Sequence, residues 1–437
     1  MVKDITSEQT KNKDEDIGRP VSAEGFREAA VVIGHRLADT AIRTRSEAMW
    51  VGPILLPDER WSLMPVGYDL YNGTAGIALF LGHLGAESQN KKFTELARAA
   101  IYGARKQLLH RNKYYVDVLP SAILLNKPGG GFTGDASVIY AMLRLGVLWE
   151  DNALLDEALT AANNLSEAVS SDRQLDIIGG LAGCILVLIS LYRQTGAKDP
   201  LDLAVKCGQL LLVKSEMRKS GRVWKTPILN GGPPLSGFSH GNAGFAYSLL
   251  KLAAIASEKK FEIAALEALD YERTLFSKKA KNWRDLRTSK LTDQNERIGK
   301  FAMAWCHGAP GIALARLLSV QYCKNRRERS VIRTEIEIAL TTTIAHGFGG
   351  NHSLCHGDFG NIETLLVASK ILQRPIFEKK VTEIATQMLE DIILSGYKCG
   401  TPNNIETPGL MTGLAGIGLG LLRVSSPTKI ESILMLE

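Results

Sequence analysis

The sequence predicts an all-α protein, folded as a closed α/α toroid of seven outer and inner helix pairs. Three observations predict it. A small-residue motif recurs seven times, each copy opens an apolar run of helical length, and a charged amphipathic segment precedes every copy. The copies are YNGTAGIALFL from Tyr71, FTGDASVIYAM from Phe132, IGGLAGCILVL from Ile178, SHGNAGFAYSL from Ser239, CHGAPGIALAR from Cys306, CHGDFGNIETL from Cys355 and MTGLAGIGLGL from Met411. Their leading glycines, Gly73, Gly134, Gly180, Gly241, Gly308, Gly357 and Gly413, lie 46 to 67 residues apart, which leaves room for a helix pair and its loops.

The preceding segments begin near Ala23, Lys92, Asn152, Pro200, Lys260, Arg327 and Ile376. They carry Lys, Glu and Arg with one apolar stripe, as in FTELARAAIYGARKQLL, and suit a half-exposed outer layer. The motif helices are apolar almost all round and suit an inner layer. Small residues at their starts let helix N-termini approach neighbouring backbone closely, against the poor helix propensity of glycine. An inner layer with no polar face favours closure over an open solenoid, whose end would be wet. Residues 1–20 read as a polar, disordered tail and residues 21–437 as one domain, because no Pro/Gly/Ser-rich linker interrupts the series.

Composition narrows the class. Hydrophobic content of 45% and charged content of 22% over 437 residues suit an ordinary globular protein with a sizeable core. The longest uncharged stretches, Ile177 to Tyr192 and Thr407 to Leu422, are 16 residues each, short of the roughly 20 that span a bilayer. They read as buried helices, with no stable membrane insertion. The acidic start shows no secretory signal, and six cysteines are few, so the expected location is cytoplasmic with reduced thiols. The net charge of +6 is concentrated between Lys278 and Lys300, a solvated face or a steering patch for an acidic peptide. Nucleic-acid binding is not expected, since no aromatic interleaving or recognised module accompanies that charge.

Chemistry enters where the copies differ. Two residues before the leading glycine stand Tyr71, Phe132, Ile178, Ser239, Cys306, Cys355 and Met411; immediately before it stand Asn72, Thr133, Gly179, His240, His307, His356 and Thr412. In a ring, equivalent positions of adjacent repeats face one another, which makes Cys306 and Cys355 neighbours. With His356 they form a soft S/N set suited to Zn²⁺, and three protein ligands leave a fourth position open for a thiolate. Two other readings stand beside it: cysteines buried as small core residues, or a closed structural site with His307 as fourth ligand. Cys184, Cys207, Cys323 and Cys399 fall off this register and read as packing residues. His240 shares the His356 register one repeat before the cysteine pair, either as a general acid or base or as a histidine satisfied by a neighbouring loop. Asp176, four residues before Gly180, either meets helix N-termini, or orients a catalytic histidine or shares in proton transfer. His307 fits a supporting or a structural role.

The motifs WCHGAPG from Trp305, SLCHGDFGN from Ser353, GFSHGNAG from Gly237 and LYNGTAGIALFL from Leu70 resemble those of the lanthionine synthetase C-like cyclases, most closely the C-terminal cyclase domain of class II lanthipeptide synthetases. The resemblance runs from about Val21 onward. It implies an α/α toroid with zinc on Cys306, Cys355 and His356, and acid/base residues at His240 and Asp176. The implied reaction adds a peptide cysteine thiol to dehydroalanine or dehydrobutyrine, an intramolecular Michael-type C–S bond formation of the lyase class, and then protonates the enolate at Cα. Two features depart from the family. Freestanding members commonly carry Arg four residues before the first zinc cysteine and Tyr just after it, where this chain has Ala302 and His307, and a class II synthetase has a large dehydratase domain ahead of its cyclase.

The reading is therefore a zinc-dependent cyclase that acts on a dehydrated ribosomal precursor peptide, with a separate dehydratase as a possible partner. No GxxxxGK[ST] loop or kinase-like Gly-rich strand is present, so the chain is expected to close rings in a peptide already dehydrated. An adaptor that binds glutathione or peptide without cyclase activity is the alternative, and a non-catalytic scaffold is a third.

Overall fold

The computed structural model describes residues 20–55, 60–109, 129–171, 174–225, 232–288 and 301–437; the predicted tail and part of the basic segment fall outside these. Seven inner helices, α2 (Thr74–Glu87), α4 (Asp135–Leu148), α7 (Leu181–Thr195), α9 (Asn242–Ala256), α11 (Ala309–Ser319), α13 (Asp358–Leu372) and α15 (Leu414–Ser425), each start on the residue after a leading glycine. Nearly every side chain of these helices is buried, as their predominantly apolar composition requires, and several of the few charged residues among them are buried as well. Around them run α1 (Ala23–Asp39), α3 (Lys91–Leu109), α5 (Asn152–Asn163), α8 (Lys198–Val213), α10 (Lys259–Thr274), α12 (Arg326–His346) and α14 (Ile376–Ser395), each within two residues of its expected start. Inner helices pack in the order α2, α4, α7, α9, α11, α13, α15 and back to α2, so the toroid is closed.

Pairing differs from the expectation in one respect. Each inner helix forms its hairpin with the outer helix that follows it, and α1, the first outer helix, packs on α15, the last inner one. The cause is loop length: only Ser88 to Asn90 separate α2 from α3, whereas residues 40–73 separate α1 from α2. Those long outer-to-inner connections hold features the repeats did not announce. Four antiparallel hairpins occur there, β1 (Ile42–Arg43) with β2 (Ala48–Met49), β3 (Val51–Leu55) with β4 (Trp61–Pro65), β5 (Glu216–Arg218) with β6 (Gly221–Val223), and β7 (Phe276–Ser277) with β8 (Asn282–Trp283). Six of these strands are two or three residues long, too few for a period of two to register. A short helix, α6 (Leu165–Ser171), also follows α5. Among the described residues no helix is long and apolar enough to cross a membrane.

At the end where the inner helices begin, the main chain forms a ring. The Tyr71 N–H donates to the Phe132 carbonyl, Phe132 to Ile178, Ser239 to Cys306, Cys306 to Cys355, Cys355 to Met411, and Met411 back to Tyr71. At the third repeat the donor slides by one residue, so that Ile177 serves the Ser239 carbonyl. Bonds of 2.7 to 3.2 Å thus join all seven repeats at the register position where the sequences diverge most. The turn before each cysteine is held by backbone contact with its own helix: a Cβ on Gly311 or Gly360 would collide with the carbonyl oxygen of Trp305 or Leu354. Gly308 also sits at φ +92°, a conformation that only glycine adopts freely.

The opposite end of the bore is filled by residues 430–437. Ile430, Ile433, Leu434 and Leu436 are buried there. The Leu436 carbonyl accepts from Ser190 Oγ (2.8 Å), and Glu437 Oε1 receives Lys251 Nζ (3.0 Å) and Tyr247 OH (3.1 Å). Leu436 reaches far enough that a side chain at Gly131, beside the main-chain ring, would run into it.

One inner-helix residue makes the fold acid-sensitive. Burial first, then the charges of Arg144 and Arg423, push His83 from 6.5 down to about 4. An unfolded histidine protonates near 6.5, so the stability tied to neutral His83 is complete above that pH and is lost as pH falls through about 4. The 2.5-unit gap corresponds to about 3 kcal/mol. Urea unfolding at pH 7 and pH 4.5 should show this loss, and His83→Gln should reduce the difference by about that amount; an unchanged difference would place the acid sensitivity elsewhere.

Candidate metal centre and active site

The main-chain ring brings the register residues to one cavity. Tyr71, His240, Arg287, Cys306, Cys355 and His356 line a space of about 590 Å³ at the mouth of the toroid. Cys306 and Cys355, from the starts of adjacent inner helices, are joined twice. The Cys306 N–H donates to the Cys355 carbonyl (3.2 Å), and the two sulfurs hydrogen-bond one another. The Cys355 thiol is held below its ordinary pKa, first by the hydrogen bond from Cys306 against the opposing effect of burial, then by Tyr71 and Arg287. Cys306 is pushed well above the ordinary value by that same bond and by burial. Of the two sulfurs, Cys355 is therefore the one that ionises more readily.

Tyr71 OH donates to Cys355 Sγ at 2.9 Å. Burial and the neighbouring Cys355 charge raise the tyrosine pKa well above 10, which keeps it a donor. The exposed His356 lies on the same wall, and its ring occupies space left by Gly400, where a Cβ would come within about 3 Å of it. Among the described residues no three His, Cys, Asp or Glu side chains are already drawn together to hold a metal. The donor chemistry nevertheless suits zinc, because two sulfurs in contact and an imidazole share one cavity wall.

Across the cavity, His240 Nδ1 meets Asp176 Oδ2 at 2.8 Å. Asp176 is buried, and its Oδ1 accepts from the Gly179 N–H at 2.9 Å. Asp176 thus bonds both the turn ahead of α7 and the His240 ring. With a proton on Nδ1 shared with Asp176, Nε2 of His240 is the ring nitrogen left for the cavity. His307 stands behind the wall. Its ring lies 5.7 Å from that of His240 at an interplanar angle of 30°. Its Nδ1 donates to the Ser236 carbonyl (3.0 Å), which makes Nε2 the unprotonated nitrogen, buried and without a hydrogen bond. Burial, then the charges of Arg287 and His240, lower its pKa to about 3, so it stays neutral.

Three participants escaped the sequence reading. Tyr71 occupies the same register as the cysteines, and that coincidence was the available signal. Arg287 belongs to the basic segment and was not separable from its neighbours; in the structure it is clamped by the buried Asp285. Gly400 has no motif at all.

A closed ring of paired helices with a thiol pair and a His–Asp dyad at one mouth defines an α/α-toroid protein with a thiol- and imidazole-lined cavity. The profile of the family described as lanthionine synthetase C-like protein matches residues 64–435, and the chain belongs to that family. It is 26% identical over 261 residues to the lacticin 481/lactococcin biosynthesis protein LcnDR2 of Lactococcus lactis subsp. lactis, a match covering 57% of this chain and 25% of that protein. The match thus spans about a quarter of that relative's length. Among solved structures, nisin cyclase superposes with a TM-score of 0.63 at 18% identity, over 94% of this chain and 97% of its own, which establishes the shared fold.

Proposed function

We propose that this chain is a zinc-dependent lanthipeptide cyclase that closes lanthionine or methyllanthionine rings in a dehydrated ribosomal precursor peptide, in the cytoplasm, after a separate dehydratase has acted. The observation that carries the reading is the meeting of Cys306, Cys355 and His356 with the His240–Asp176 dyad on one cavity. Cys306, Cys355 and His356 would hold the zinc, which when bound lowers the pKa of a substrate thiol so that it reacts as thiolate near neutral pH. The protein's own residues do the rest. Tyr71 hydrogen-bonds the Cys355 sulfur, and such partners of ligating atoms fix orientation and tune donor strength. His240 Nε2 takes up or delivers a proton at the cavity, with Asp176 fixing its tautomer. His307, kept neutral behind it, adds no second positive charge when His240 is protonated. Family membership supports the substrate class, as does the likeness to a lacticin 481/lactococcin biosynthesis protein and to nisin cyclase.

Mass spectrometry tests the assignment. With a predehydrated, cysteine-containing peptide the protein should leave mass unchanged while removing thiols countable by alkylation. With the unmodified Ser/Thr precursor, ATP and Mg²⁺ it should remove no water, about 18 Da per event, since no phosphate-activating motif is present. Water loss would refute the reading, and thiols that persist in the cognate predehydrated peptide would favour the adaptor alternative.

A further inference from the structure

Arg287 is the one permanent cation among the described residues that line the cavity. Its side chain is clamped rather than free. Nε donates to Asp285 Oδ1 (3.0 Å), Nη2 donates to Asp285 Oδ2 (2.7 Å), and the Arg287 N–H donates to Oδ1 (3.1 Å). Asp285 is buried; burial would raise its pKa, but Arg287 holds it ionised. This fork uses two nitrogens and leaves Nη1 without a hydrogen bond among the described residues. Cys306 and Cys355 line the same cavity as the guanidinium. The pair is anchored at its buried carboxylate while the guanidinium stays accessible, the side chains being 6% and 38% exposed. Ala302, a small residue, lines the same cavity.

We infer that Arg287 binds the carbonyl oxygen of the dehydroamino acid and takes up the negative charge that develops there as the thioether bond forms, an inference that rests on the cyclase reading above. In that step a base takes the thiol proton, sulfur bonds to the β-carbon, and the π pair of the C=C bond moves through Cα onto the carbonyl oxygen. Returning a proton to Cα restores the carbonyl, so no atom is gained or lost and no oxidant is needed. A fixed donor aimed at an oxygen whose charge grows binds the transition state more tightly than the substrate, and so acts on kcat more than on KM.

The test uses the zinc-loaded full chain and a predehydrated, cysteine-containing peptide. Arg287→Gln should lower kcat by roughly 10² to 10³ while KM and zinc content hold, as for loss of one oxyanion donor. Arg287→Lys should recover part of the loss through its charge. A second readout is independent of turnover: in metal-free protein, the ratio of alkylation rates by anionic iodoacetate and neutral iodoacetamide reports the local field, because both reagents attack the same thiolate. That ratio should fall several-fold in Arg287→Gln and stay near wild type in Arg287→Lys. An active wild type with unchanged kcat in Arg287→Gln, a loss confined to KM or zinc, or an unchanged ratio would overturn the role of Arg287 alone. A wild type that cyclises nothing would overturn the cyclase reading and this inference with it.

Discussion

Replacing Cys355 by alanine is expected to abolish ring closure and zinc binding together while leaving the toroid folded. The variant removes the more readily ionised sulfur of the pair, one of the three proposed ligands, so the remaining thiol and imidazole would hold metal far more weakly. Elemental analysis after metal-replete expression should fall from about one zinc per chain to well under that, as three ligands are reduced to two. Thioether formation should drop to background. Stability should change little, because the Cys355 main-chain bonds to Cys306 and Met411 survive the substitution and the inner helices bury their faces independently of the sulfur. Loss of the far-ultraviolet helical signal would instead make the metal structural, and a normal zinc content would move the ligand set elsewhere.

The second large effect is expected at His240. His240→Asn keeps a polar side chain but removes the titrating nitrogen, and turnover should fall by on the order of 10² to 10⁴ with zinc intact. Asp176→Asn should also slow the reaction, since an amide in place of the carboxylate no longer fixes the His240 tautomer, although the turn at Gly179 can still be served by its carbonyl oxygen. The pair should be markedly less than additive, because both changes disable one dyad. Unchanged rates in metal-replete His240→Asn would transfer proton handling to Asp176 or His307.

The sequence reading located the toroid because its signal is repeated seven times, and a glycine at every inner-helix start leaves little choice of boundary. It also located Cys306 beside Cys355, since equal register in adjacent repeats means equal height on the ring. What it lacked is what repetition cannot encode. The helix pairing shifted by one because tight and long loops alternate, a matter of connection length rather than of pattern. Arg287 reaches the cavity from a loop between β8 and α11, and its partner Asp285 became visible only as a buried carboxylate. The packing of His356 against Gly400 joins two segments with no shared motif. The filling of the bore by residues 430–437 depends on single contacts such as Lys251 with Glu437, which leave no periodic trace.

That filled bore bears on how a long chain could be handled. Among the described residues, 430–437 occupy the far end of the hole, with Leu436 close enough to Gly131 that a side chain there would collide with it. On the cyclase reading proposed above, a peptide would bend over the mouth as a loop instead of threading like a cord through a bead, and the mouth would serve as an anvil against which successive bends are closed.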